Sequence, residues 1–145
     1  MKAAFMLGRL IFGGYFIYNG INHFKEQKML SGYAQSKHVP LADIAVPATG
    51  VMMIAGGASL LLGVKPRLGA LAVAGFLAGV SPLMHDFWNQ KEPQQRMAEM
   101  INFSKNIALM GGALALTGVD EPWPMSAHLP HSAISDEDWR LHAAA

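Results

Sequence analysis

Four stretches of this chain contain no Lys, Arg, Asp or Glu, and no other feature constrains its fold as strongly. They run from Leu10 to Phe24, Ile44 to Val64, Leu68 to His85 and Asn106 to Val119, or 15, 21, 18 and 14 residues. The hydrocarbon core of a bilayer is about 30 Å thick, so about 20 apolar helical residues cross it. Only 14% of the 145 residues are charged, against about 25% in soluble domains. A soluble domain of this size has too little interior to hide four such runs. The pattern therefore excludes a disordered chain and an ordinary soluble enzyme. A net charge of +1 gives no electrostatic pull on nucleic acid. Cysteine is absent, which excludes disulfides, Cys-ligated metal centres and thiol exchange within this chain. Any redox role has to come from a bound cofactor or a partner.

The expected fold class is all-α: an antiparallel bundle of four transmembrane helices with a short amphipathic loop helix and a soluble C-terminal tail. The spans fall at about residues 3–24, 45–64, 68–87 and 100–119, giving a membrane domain over 1–119 and a polar tail over 120–145. Arg9 interrupts the first span and no small-residue cleavage pattern follows Phe24, so it reads as a retained helix and not a signal peptide. Pro47 is expected in the first turn of the second span, where a missing N–H costs nothing, with Asp43 just upstream at the positive helix end. Pro82 cannot donate to the Ala78 carbonyl and predicts a kink near the end of the third. The short link Lys65-Pro66-Arg67 makes spans two and three an antiparallel hairpin. Met29–Lys37 reads as a helix on the membrane surface, Trp88–Glu99 as a polar link with Lys105 in the second turn of the span after it, and Ser135–Asp138 as a capping box. Gly75 and Gly79 form a GxxxG motif, and Gly13-Gly14, Gly56-Gly57 and Gly111-Gly112 put small residues on the other spans. Such residues let membrane helices approach closely, here within one bundle in preference to a dimer face. The 11 Lys and Arg residues divide five to six between the two sides, so the positive-inside rule does not choose an orientation.

Polar residues of the spans gather at the end opposite the N-terminus. Tyr15, Tyr18, Asn19, Asn22 and His23 share one helix face. Ser81, Met84, His85 and Trp88 follow the same spacing, as do Asn102, Lys105 and Asn106. Polar groups this close to hydrocarbon turn toward one another or toward water. One reading is a ligand pocket walled by Tyr15, Tyr18, Phe87 and Trp88, with Asn19 on the same face and donors from His23, His85, Lys105 and Asn106. A quinone, flat and apolar with a carbonyl at each end, matches that chemistry. The other reading is an interfacial aromatic belt with a snorkelling lysine and interhelical asparagines. Haem ligation by His23 and His85 is the weaker alternative, because single histidines at an interface more often cap carbonyls or meet headgroups. Arg9 is expected to snorkel to the near headgroups. Asp86 is expected to reach Lys105 or Arg96. His128, His131 and His142 lack metal-ligand spacing, so no metal site is expected, and no catalytic constellation is recognisable.

Gly8-Arg9-Leu10, Tyr33-Ala34-Gln35-Ser36-Lys37 leading to Val39-Pro40, Ala45-Val46-Pro47, His85-Asp86-Phe87-Trp88-Asn89, Pro93-Gln94-Gln95-Arg96 and Lys105-Asn106-Ile107-Ala108-Leu109 occur in an order that resembles the DoxX family of small bacterial membrane proteins. The resemblance covers about Met6 to Thr117. It implies a bacterial inner-membrane protein with both termini cytoplasmic and a link to redox physiology, since the family name comes from a subunit of a thiosulfate:quinone oxidoreductase. It favours His85, Trp88, Lys105 and Asn106 as site positions. The partners expected are membrane lipid, a quinone, and a redox partner protein or a second copy of the chain. The leading expectation is thus a quinone- or lipid-ligand-binding subunit without independent activity. The alternative is a non-catalytic membrane anchor or assembly factor.

Overall fold

The computed structural model describes residues 2–127, so the capping box at Ser135 and the three tail histidines lie outside it. The described chain forms five α-helices: α1 (Lys2–Lys25), α2 (Gln27–Ser36), α3 (Ala42–Leu62), α4 (Pro66–Met84) and α5 (Pro93–Thr117). A single 3-10 turn, Phe87–Asn89, joins the last two. There is no strand among the described residues. Pro66 and Pro93 open their helices, at the position where proline's missing N–H has no intrahelical partner to lose. Gly63 closes α3 in the left-handed conformation, and its N–H bonds the Ser59 carbonyl at 2.9 Å. The three residues 63–65 then return the chain as a hairpin.

Two segments are long and apolar enough to cross a bilayer: α3, and the stretch from Pro66 to Asn89 that holds α4. The helices α1 and α5 have the length, 24 and 25 residues, but polar side chains dilute them. In α1 these are Asn19, Asn22 and His23, and in α5 they are the residues from Gln94 to Asn106. The architecture of the described residues is therefore all-helical with two segments able to cross a membrane by length and composition, coarser than the expected four-span bundle.

Three boundaries differ from the sequence expectation. The α3 helix starts at Ala42, which moves Pro47 out of the first turn. The carbonyl left without its intrahelical donor, that of Asp43, receives the Gln27 side-chain amide at 3.4 Å. The α4 helix stops at Met84, short of His85. The α5 helix starts seven residues before Met100, so Lys105 lies near its middle and not in its second turn.

The main contacts run α1 on α3, α3 on α4 and α4 on α5, with α2 lying across α3. Glycine makes the first of these possible. A Cβ on Gly13 would stand 2.7 Å from the Gly57 carbonyl oxygen, and one on Gly57 2.6 Å from that of Gly13. The GxxxG pair is not used this way. Nothing lies within 4 Å of a Cβ on Gly79, and only the tip of Met52 approaches Gly75. The core holds Phe16, Met53, Leu60, Val73, Leu77 and, from beyond α5, Trp123. The change of composition after Val119 therefore does not end the packed body. Residues 120–127 fold back onto it, and the Ala127 N–H reaches the Leu62 carbonyl at 2.9 Å.

Arg9 explains that return. It is 3% exposed and does not snorkel. Its Nε donates to the Leu60 carbonyl at 3.1 Å, Nη2 to Leu61 at 2.9 Å and Nη1 to Pro124 at 2.6 Å. Its guanidinium lies 5.3 Å from the Trp123 ring centroid and 5.9 Å from that of Phe5. The cation thus caps the negative end of α3 and ties the C-terminal return to α1.

Candidate functional site

At the opposite end, the C-termini of α1 and α4 meet the N-terminus of α3, the first half of α5 and all of α2. Two adjoining cavities open there. The first, of about 210 Å³, is a polar chamber that takes in Tyr15, Asn19, His23, His85, Lys105 and Asn106. Six of the eight residues expected to form a pocket are thus brought to one cavity. Tyr18 and Trp88 are not. The inward face of α1 runs through Arg9, Gly13, Phe16 and Gly20, so Tyr18 falls on the far side and is 71% exposed. Trp88 was placed by helical spacing, but the helix breaks at His85. The Asp86 carbonyl takes the Asn89 N–H instead, and Trp88 stacks edge-on with Phe87 and Phe103, at 5.1 and 5.8 Å.

Most polar groups near the chamber have partners. Ser81 donates to the Leu77 carbonyl of its own helix, and the Asn19 amide donates to the Tyr15 carbonyl at 2.7 Å. Lys105 Nζ donates to Asn102 Oδ1 at 3.1 Å. His23 Nδ1 lies 3.0 Å from the Val46 carbonyl and 3.1 Å from the Thr49 hydroxyl. A carbonyl only accepts, so Nδ1 carries a hydrogen. His85 Nδ1 donates to Glu99 Oε2 at 2.8 Å. Asn106 differs from all of these. It is 8% exposed and has no hydrogen-bond partner among the described residues, although it borders the chamber.

Glu99 holds His85, which lines the chamber, although from its sequence position it reads as part of a polar link. Its second oxygen accepts from Tyr33 at 3.3 Å, so Tyr33, Glu99 and His85 form one hydrogen-bonded chain from α2 to the cavity. Burial, with the charge of Glu99 next, pushes the Tyr33 phenol above its ordinary value and keeps it a donor. Asp86 pairs with Lys37 at 2.7 Å, not with Lys105 or Arg96, and also takes the Asn89 and Gln90 amides at 3.1 Å. Burial alone would pull Lys37 down, but the hydrogen bond to Asp86 and the surrounding negative groups outweigh it and hold it above its ordinary value. A signal for Glu99 was available. Glu92-Pro93 is a helix start, and from it Glu99, Asn102 and Asn106 recur on one face.

The second cavity, of about 310 Å³, is an apolar groove between α2, α3 and α4. His23, Phe76 and Val80 line both spaces. A family model described as DoxX matches residues 4–86, more than half of the chain. The chain belongs to the DoxX family. No curated protein and no solved structure matches it. The DoxX match covers α1 to α4 and ends at Asp86, so it includes Tyr15, Asn19, His23 and His85, while Trp88, Glu99, Lys105 and Asn106 lie beyond it. DoxX membership and the two apolar segments point to a membrane protein. Among the described residues, no three His, Asp or Glu side chains gather as metal ligands would.

Proposed function

We propose that this DoxX-family chain is an inner-membrane protein whose four long helices all cross the bilayer, and that its polar chamber binds the head of a quinone or similarly flat lipid-soluble ligand for a redox or stress-response system. The outer faces support the crossing. Leu7, Leu10 and Ile11 on α1, and Ile101 and Leu114 on α5, are exposed, which suits lipid and not water. An even number of crossings puts the start of α1 and the end of α5 on one side, and the family resemblance makes that side cytoplasmic.

The observation that carries the binding reading is Asn106. The residue is 8% exposed, yet among the described residues no buried side-chain nitrogen or oxygen lacks a partner, so the unbonded Asn106 amide keeps its accessible surface toward the chamber that it lines and is free to bond what enters. Its amide offers a donor to a ligand carbonyl. Lys105 adds positive charge at the same wall, and Tyr15 adds a flat ring. His85, held by Glu99, keeps its Nε2 for a second hydrogen bond and can hold or release a proton there, with Glu99 and Tyr33 behind it. The electrons of any redox step belong to a partner, since this chain has no thiol.

The test is recovery of lipid-soluble quinone, by mass spectrometry, from protein extracted in mild detergent. Near-stoichiometric quinone is expected with the unsubstituted chain. Asn106→Leu and His85→Ala should each lower it about tenfold, as the loss of one good hydrogen bond does. Equal recovery in both variants rejects the chamber as the site. A stoichiometric protein partner with no quinone favours the alternative, a membrane anchor or assembly factor.

A further inference from the structure

The apolar groove adjoins the chamber, and the head-binding reading leaves it unused. Its walls come from α2 (Leu30, Ala34), α3 (Val46, Met52) and α4 (Val80, Leu83). The polar side chains in its lining are His23 and Thr49, and the Thr49 hydroxyl and the His23 Nδ1 are already bonded. The Thr49 hydroxyl lies 2.9 Å from the Ala45 and Val46 carbonyls, and His23 Nδ1 donates to Val46. A polar occupant would find at most the second ring nitrogen of His23 to bond, so the space suits hydrocarbon. The groove also exists because side chains are missing. Gly75 and Gly79 border it, and neither is used to bring helices together. Gly8, Gly14, Gly32 and Gly111 are as open as Gly79, but unlike them Gly75 and Gly79 line this groove.

We propose that the groove holds the hydrocarbon tail of the molecule whose head occupies the polar chamber, so that the ligand is a single-tailed amphiphile bent around His23. This rests on the head-binding reading. The continuity of the two spaces argues for one molecule spanning them: His23, Phe76 and Val80 are walls of both, and the His23 ring lies edge-on to Phe76 with centroids 6.2 Å apart. Gly79 leaves its part of the groove wall bare, so a side chain added there would take up part of the space a tail needs.

The experiment uses the full chain in detergent and two probes with the same dimethoxy-methyl-benzoquinone head, one with a decyl tail and one without. Binding is measured for the unsubstituted protein, for Gly79→Leu and for Gly111→Leu. Position 79 has open space around a Cβ and leucine favours the helix, so that variant should fold. Gly111 is equally open and lies outside both cavities, which makes it the control. Gly79→Leu should weaken the tailed probe about tenfold, equivalent to roughly two buried methylenes, and leave the tail-less probe within about twofold. Gly111→Leu should change neither. If the tail adds no affinity, or Gly79→Leu leaves the tailed probe unchanged, the tail assignment is overturned while the head site stands. If Gly79→Leu instead lowers only the phospholipid that co-purifies, the groove holds a bilayer acyl chain and the proposal fails. If neither probe binds the unsubstituted protein, the head-binding reading falls and the tail assignment falls with it.

Discussion

The two ends of this bundle bury polar groups in opposite ways. At one end Arg9 is almost wholly buried and each of its three guanidinium nitrogens donates, to the carbonyls of Leu60, Leu61 and Pro124. At the other, Asn106 is nearly as buried and has no partner among the described residues. Both residues bury a polar side chain in a long helix, which is costly unless its hydrogen bonds are made; from the sequence Asn106 is a pocket candidate and Arg9 an arginine expected to snorkel. What separates them is where their hydrogen bonds go. The Arg9 end is closed on itself, and its polar chemistry holds the chain together. The Asn106 end leaves a donor, a histidine nitrogen and two cavities over, which is what a ligand would use.

The largest expected effect tests the closed end. Arg9→Ala leaves three buried carbonyls without donors and releases the Trp123 return from its cation. A charged hydrogen bond contributes about 1.5–3 kcal/mol, so the loss should reach at least about 3 kcal/mol, read as a lower Tm in detergent. Arg9→Lys should recover part of it, because an ammonium cannot span the three carbonyls. Quinone recovered per folded molecule should not change. An unshifted Tm would break the contrast, since Arg9 would then be no more structural than Asn106.

The sequence reveals most of the fold but only half of this contrast. The uncharged runs locate α1, α3 and α4, and Gly63 with Pro66 marks the hairpin, because apolar periodicity and backbone exceptions are local properties. The gathering of His23, His85, Lys105 and Asn106 was also legible, since short links fix which helix ends meet. Arg9 was not. Its acceptors lie 51, 52 and 115 residues away, and an arginine near a span end looks the same whether it snorkels or caps. Trp88 failed for a different reason. Helical spacing holds only inside a helix, and Asp86, whose carbonyl and carboxylate both organise a turn, ends α4 first. Glu99 was lost with the boundary of α5, although Pro93 signalled it.

A smaller effect sharpens the open end. Glu99→Gln keeps a partner for both neighbours, since an amide offers one acceptor for His85 and one donor for the Tyr33 oxygen. Stability should therefore stay within about 1 kcal/mol. What is removed is the charge that holds the His85 imidazole. Affinity for the tail-less quinone should fall between about threefold and tenfold, as for the loss of one charge-assisted bond. A large drop in Tm with unchanged affinity would move Glu99 to the structural side of the comparison.

The smallest effect concerns how α2 is fastened over the open end. Lys37 and Asp86 are largely buried, with side chains 13% and 22% exposed, and Tyr33 adds its bond to Glu99. Both Lys37 and Tyr33 are held above their ordinary values of 10.5 and 10.0. A group raised in the folded state stabilises it fully below the unfolded value and loses that contribution as pH climbs through the folded one. The fastening should therefore be intact at neutral pH and release only in alkali, above about pH 10. Because the chain lacks cysteine, Gly32→Cys gives a single attachment point on α2, with open space around its Cβ. A spin label there should stay restricted up to that range and then gain mobility. Lys37→Met removes a pair contributing about 1 kcal/mol and should raise the label's mobility already at neutral pH, leaving only the Tyr33 step in alkali. An identical pH profile with and without Lys37 would mean that apolar packing of Leu30 and Ala34, and not the ion pair, keeps α2 in place.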